Sequence, residues 1–351
     1  MERLGSRLRR WLRQRATGEA SRETHGQGPY RTDAGEQAAK AKPAHVVFAP
    51  ANGWVRWAGE DEEGLLVAGT DGLARLRPGE STPRTLKSLE WAHHYVLGPR
   101  GVVWLASAGP RTEVHWLETG KELSHQVAES DGAPDGLVAD DAGVYWGTSN
   151  PDMDPDNPKV MLKANGRVFY APFAGGPSVR VARRDQHTCP VFADSSGVVW
   201  YESGGPGMVV FEATVAGVVK TTQFPQCDDA GWGQATTIDA SAVYLYDRKA
   251  GGLVALPRRG GEPRLLARTR QPPLALATRD GALYAIVGDA RRAPREVWRV
   301  DLATSEVDVL GHFVADPWPH GGGYPRLGLA IGRTALYVFG GQQLLSVPRV
   351  L

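Results

Sequence analysis

The chain has 351 residues, of which 42% are hydrophobic and 23% charged, with a formal net charge of +1. These are ordinary globular values, and they exclude a disordered or collagen-like chain. Two cysteines exclude a disulfide-built scaffold, no apolar run approaches the length of a membrane-crossing helix, and the near-neutral charge gives no global argument for nucleic acid.

The charge is uneven along the chain. Residues 1–44 carry ten Lys/Arg against five Asp/Glu, and the remainder thirty against thirty-four. Leu4, Leu8, Trp11 and Leu12 follow a helical rhythm among Arg3, Arg7, Arg9, Arg10, Arg13 and Arg15. A basic amphipathic helix is therefore expected over 1–16, with Arg3, Arg7, Arg10, Trp11 and Arg13 available to an anionic membrane surface or a partner's groove. Residues 17–44, rich in Gly, Ala, Ser, Gln and charge, read as a flexible tether to a domain over 45–351. The start lacks the apolar core of a signal peptide. A cytoplasmic protein, peripheral to the membrane if the helix engages it, is the expectation. An exported protein is the alternative, and a Cys189–Cys227 bridge would mark it.

From residue 45 onward one phrase recurs. "GVVW" at 101–104, "GVYW" at 143–146 and "GVVW" at 197–200 define a frame whose last residue serves as an anchor. Equivalent anchors are Val67, Trp104, Trp146, Trp200, Leu245, Ala285 and Val338. Two positions earlier stand Leu65, Val102, Val144, Val198, Val243, Leu283 and Leu336. Three positions earlier stand Gly64, Gly101, Gly143, Gly197, Ala242, Ala282 and Ala335. Asp140, Asp194 and Asp239 coincide six before the anchor. Branched and aromatic residues suit a pleated surface, and a small residue after an Asp-containing cluster suits a tight hairpin. Each copy thus reads as the second strand of a meander, preceded by an apolar strand such as "CPVFAD" and followed by one such as "GRVFYAPF". A fourth strand follows a glycine turn, as in "AGGPSVRVA" (174–182) and "RGGEPRLLA" (259–267).

Seven copies of four strands predict an all-β, seven-bladed propeller with four-stranded antiparallel blades. The seventh copy ends after its third strand, and an apolar strand, "HVVFAP" (45–50), precedes the first. Pairing that N-terminal strand with the last blade would close the ring and remove two exposed edges. The anchor-region aromatics Trp104, Trp146, Trp200, Tyr244, Tyr284 and Tyr337 are expected to be core between blades. The pattern resembles the bacterial propeller repeats of the TolB-like and streptogramin-lyase-like group. That resemblance covers roughly 45–351 and implies the fold; the group includes lyases, hydrolases and binding modules. No lyase motif matches residue by residue, so no catalytic residue is carried over.

In a propeller the first strands line the central channel, and the segments leading into them gather at one mouth. Those lead-ins hold His93, His94, Asp135, His187, Asp228, Asp229, Trp232, Trp318 and His320, together with Trp91, Asp131, Asp185 and Asp316. Such a face suits recognition of a protein or small ligand. Its histidines and carboxylates could also hold a divalent metal, or act as general acid and base. No cofactor motif is present, and no H-E-x-x-H spacing supports a metal directly. Cys189 and Cys227 lie before neighbouring blades, where a bridge is conceivable and a reduced pair is expected in the cytoplasm. "NPDMDPDNPK" (150–159) alternates Asp152, Asp154 and Asp156 but has Asn157 and Lys163 where a calcium loop needs Gly and Glu. A solvated insertion in blade three is the expectation there. The reading is a monomeric recognition propeller tethered by its basic helix, with a lyase or hydrolase at the channel mouth as the alternative.

Overall fold

A computed structural model describes residues 42–49, 54–69, 72–80, 82–87, 92–150, 152–153, 156, 161–205, 207–224, 235–288, 294–314 and 327–349. The expected N-terminal helix lies outside these residues. Seven antiparallel meanders make up the fold. Blade one comprises Val55–Asp61, Gly64–Gly69, Gly72–Leu76 and Arg84–Lys87. Blade two comprises Ala92–Gly98, Gly101–Ala108, Arg111–Glu118 and His125–Asp131. Ala133–Ala139, Gly143–Ser149, Gly166–Pro172 and Val179–Arg184 form blade three. Cys189–Asp194, Gly197–Gly205, Gly207–Thr214 and Gly217–Phe224 form blade four. Blade five has Thr237–Ile238, Ala242–Asp247, Gly252–Pro257 and Arg264–Arg268. Blade six has Ala275–Arg279, Ala282–Val287, Arg295–Asp301 and Val307–Phe313. Gly328–Ile331, Ala335–Phe339 and Leu344–Pro348 belong to blade seven. Its fourth strand is His45–Phe48, paired antiparallel with Leu344–Pro348. Just before it, Lys42–Pro43 adds a parallel fifth strand to blade six, Lys42 opposite Gly311. Among the described residues strand pairing is seen from Lys42 onward.

The repeated columns answer local demands. Asp140 Oδ1 accepts from the amides of Ala142 and Gly143 at 2.8 Å each. Asp239 does the same for Ser241 and Ala242, and Asp194 for Ser196. Asp61, in the same column of blade one, caps Glu63 and Gly64. In these four blades the carboxylate holds the first hairpin alongside backbone bonds such as Asp140 N to Gly143 O at 3.1 Å. The small residue that follows lies where the third strand crosses. A Cβ on Gly101 would meet Leu117 O at 2.2 Å, and one on Gly197 would meet Ala213 O at 2.0 Å. Both also have φ near +130°, which a side chain resists.

Seven hydrophobic clusters hold the blades together, each drawn from two neighbouring sheets. Trp104 sits between blades one and two, Trp146 between two and three, and Trp200 between three and four, all at most 1% exposed. Burying such a ring is worth on the order of 4–6 kcal/mol of transfer free energy, an upper figure. Tyr244, Tyr284 and Tyr337 are buried as well. The anchor aromatics are therefore core. Polar ties reinforce the seam between the last and first blades: Tyr337 Oη donates to Glu60 Oε2 at 3.3 Å, and Arg333 binds the same carboxylate.

The insertion of blade three forms a small hairpin, Asp152–Met153 with Met161–Lys163. Asp152 and Asp156 are exposed there. Lys163 reaches Asp185 at 3.3 Å. No helix of the described residues is long and apolar enough to cross a membrane.

Candidate functional site

The first strands of the blades touch one another in chain order, and that of blade seven touches that of blade one. They form the inner ring, so the starts of these strands lie at one mouth. Four of them, those of blades one to four, carry a β-bulge in their opening residues. Val55 opposes Gly69 and Trp57 opposes Ala68, which leaves Arg56 without a ladder partner. His94 is left out in the same way in blade two, Asp135 in blade three and Val191 in blade four. An extra residue of this kind bends the strand and re-aims a side chain. In blades one to three the re-aimed residue is Arg, His or Asp.

Asp135 ties two blades together. Its Oδ2 lies 3.0 Å from His187 Nδ1 and accepts from the Thr188 amide at 3.2 Å. Both side chains are largely buried, 20% and 24% exposed. Thr188 is wholly buried and donates to Arg167 O at 3.1 Å. The lead-in His187-Thr188-Cys189 can lie this close to blade three because two glycines face it. A Cβ on Gly147 would come within 1.9 Å of Thr188 O, and one on Gly136 within 2.6 Å of Cys189 Sγ. Cys189 is half-buried at the start of its strand.

A second group bridges blades one and two. Arg56 Nη1 approaches Ala92 O at 3.4 Å, and Trp57 stacks on Tyr95 with ring centroids 5.8 Å apart. Burial first, and the Arg56 charge second, lower the pKa of His93 below its usual 6.5. Burial pushes the Tyr95 phenol up to about 12, with Arg56 opposing. His93 itself is exposed at the mouth and His94 is half-buried.

Of the residues expected at the mouth, the structure brings Asp135 and His187 into contact and sets His93 beside Arg56. Asp228, Asp229, Trp232, Trp318, His320 and Cys227, with Trp91 and Asp316, lie outside the described residues. Among the described residues no three His, Cys, Asp or Glu side chains gather so as to hold a metal ion. Arg56 stands at the same mouth and was not among the residues expected there. Its signal was a charged residue between apolar ones in "WVRWAG", at the start of an inner strand.

Two cavities lie elsewhere on the surface. One of about 330 Å³, walled by Phe313, Val314, Leu327 and Phe339, lies on the lead-in side between blades six and seven. The other, about 480 Å³, opens on the opposite face between blades one and two. Its walls mix Arg75, Arg77, Arg84 and Lys121 with Glu63, Glu80 and Glu122, and most of these charges are already paired with one another. Buried Asp61, bound to Arg75, has its carboxyl pKa raised, burial outweighing the guanidinium.

No protein-family model matches the chain, and no curated protein is a detectable sequence relative. Solved structures share its fold. An oligogalacturonate lyase in complex with manganese has a TM-score of 0.61 at 12% identity, over 88% of this chain and 98% of that one. An oligogalacturonate lyase from Vibrio parahaemolyticus gives 0.62 at 11% identity, over 86% and 92%. The WD40 β-propeller domain of Doa1 gives 0.59 at 9% identity, over 88% and 98%. Lyases and a WD40 domain match the chain about equally well. The chain is a seven-bladed β-propeller, and at these identities the likeness carries the fold alone.

Proposed function

We propose that this propeller is a recognition scaffold that meets a protein or small ligand at the lead-in mouth of blades one to four. The observation that carries the reading is the run of bulges that offers Arg56, His94 and Asp135 at one rim, with Asp135 locked across blades by His187. Such a rim presents fixed, mixed polar groups on rigid strands, which suits selective binding. The same reading takes His45–Phe48 as the clasp that closes the ring, and residues 1–16 as the tether to a partner or an anionic membrane.

The test uses the full chain purified without chelator, alongside Asp135→Asn/His187→Gln. Metal content is measured by mass spectrometry and small-fragment binding by fluorine NMR. Fragment binding that is lost in the double variant, with little metal in either protein, is the expected result. Near-stoichiometric metal in the parent and none in the variant would replace this reading with a lyase or hydrolase acting at the same mouth.

A further inference from the structure

Several arginines of the described fold are tied to carboxylates. Arg75 binds Asp61 and Glu63, Arg184 binds Glu202, Arg258 binds Glu212, Arg333 binds Glu60 and Arg349 binds Asp280. Arg100 instead lies over the rings of Trp116 and Phe173. Arg56 has neither arrangement. Its guanidinium, with five N–H donors, makes one long contact of 3.4 Å to the Ala92 carbonyl and pairs with no described carboxylate. It is exposed, and it stands at the bulge where the ladder releases it.

The strands on either side of it are held together. The Trp57–Tyr95 stack joins the two strands just inside the mouth. A Cβ on Gly59 would strike the Trp57 ring at 2.6 Å, so the indole lies flat along its own strand. The charge of Arg56 acts on both His93 and Tyr95. His93 follows Ala92, whose carbonyl orients the guanidinium, and it adds an imidazole to the same lip. A guanidinium with no carboxylate partner, held at a bulge next to an exposed imidazole, offers N–H donors suited to an oxyanion acceptor.

We propose that the lip formed by Arg56 and His93 is an oxyanion subsite that takes the carboxylate or phosphate group of a small ligand. It is the anchoring part of the recognition face proposed above and rests on that reading. Asp135 and His187, two blades further round the ring, would face the uncharged remainder of the ligand.

The experiment follows the His93 Hε1 resonance, assigned through His93→Gln, while acetate or inorganic phosphate is titrated into the full chain. Arg56→Gln and Arg56→Lys are compared with the parent. A saturable shift of His93 is expected with at least one of the two anions. Binding should be weaker by on the order of tenfold or more in Arg56→Gln and partly kept in Arg56→Lys. The fold is monitored in the free protein, where Arg56→Gln should shift the His93 resonance without ligand because a neighbouring charge has gone. An unmoved His93 across both titrations, or equal binding by parent and Arg56→Gln, would overturn the subsite. Neutral fragments that still bind at Asp135 and His187 in that case would leave the recognition face standing. Loss of both would remove the two proposals together.

Discussion

Two tryptophans at equivalent anchors give an internal comparison. Trp146 and Trp200 are both wholly buried, and each stacks on a third-strand phenylalanine: Trp146 on Phe169 at 5.5 Å and Trp200 on Phe211 at 5.3 Å. They differ at one atom. Trp146 Nε1 donates to the Ser130 hydroxyl of the preceding blade at 2.8 Å, whereas Trp200 Nε1 is buried with no acceptor. Replacing either by phenylalanine removes similar apolar bulk, at about 1–2 kcal/mol for transfer and cavity together. At 146 the change also strands the buried Ser130 hydroxyl, which adds about 1–3 kcal/mol. At 200 it removes an unsatisfied buried donor, which recovers about 1 kcal/mol. Trp146→Phe should therefore cost roughly 2–4 kcal/mol more than Trp200→Phe, by the balance of those terms. For a domain of this size that corresponds to a Tm difference of roughly 5 °C. Differential scanning calorimetry on the two variants and the parent measures it directly. Equal losses in the two variants would refute the reasoning, because packing alone would then govern the anchors.

Further outcomes follow from the same geometry. A chain that begins at Ala49 lacks the fourth strand of blade seven and bares the edge of Leu344–Pro348; a lower Tm and concentration-dependent association by analytical ultracentrifugation are expected, and an unchanged monomer would show that the clasp is dispensable. Gly147→Ala drives a methyl into the Thr188 carbonyl; a loss of about 1–3 kcal/mol in urea unfolding is expected, with His187 displaced from Asp135 in the NMR spectrum. Because the folded pKa of His93 is lowered from 6.5, the unfolded chain binds its proton first. The contribution of His93 is then full above pH 6.5 and is lost as pH falls through the folded pKa. His93→Gln should shrink the difference in Tm between about pH 7.5 and about pH 5.5, and an unaltered difference would contradict the lowered pKa.

The repeat was legible because each of its columns answers a demand made within a few residues. Asp140 and Asp239 cap their own hairpins, Gly101 makes room for its own third strand, and Trp146 and Trp200 pack on the neighbouring sheet. Asp61 obeys the same rule, yet its copy carries Val67 in place of an aromatic anchor, so the column was harder to see. The mouth was less legible. Which lead-in residues meet depends on how inner strands from separate repeats lie side by side, and that distance is not written in any one repeat. The bulge that frees Arg56 comes from register between two strands, not from residue type. The contact of Asp135 with His187 spans 52 positions and relies on Gly136 and Gly147, whose service to another blade is invisible in their own strands. Lys42–Pro43 has no apolar alternation to announce a strand, and its pairing with blade six follows from where the neighbouring His45–Phe48 is held.

Crystals of the full chain soaked with a fragment set that includes small carboxylates and phosphates would test the central claim most directly. The account predicts that bound fragments collect at the lead-in mouth between Arg56, His93, Asp135 and His187, with acidic groups turned to Arg56. Fragments gathered instead in the charged cavity of the opposite face, beside Arg77 and Lys121, with none at the mouth, would contradict it.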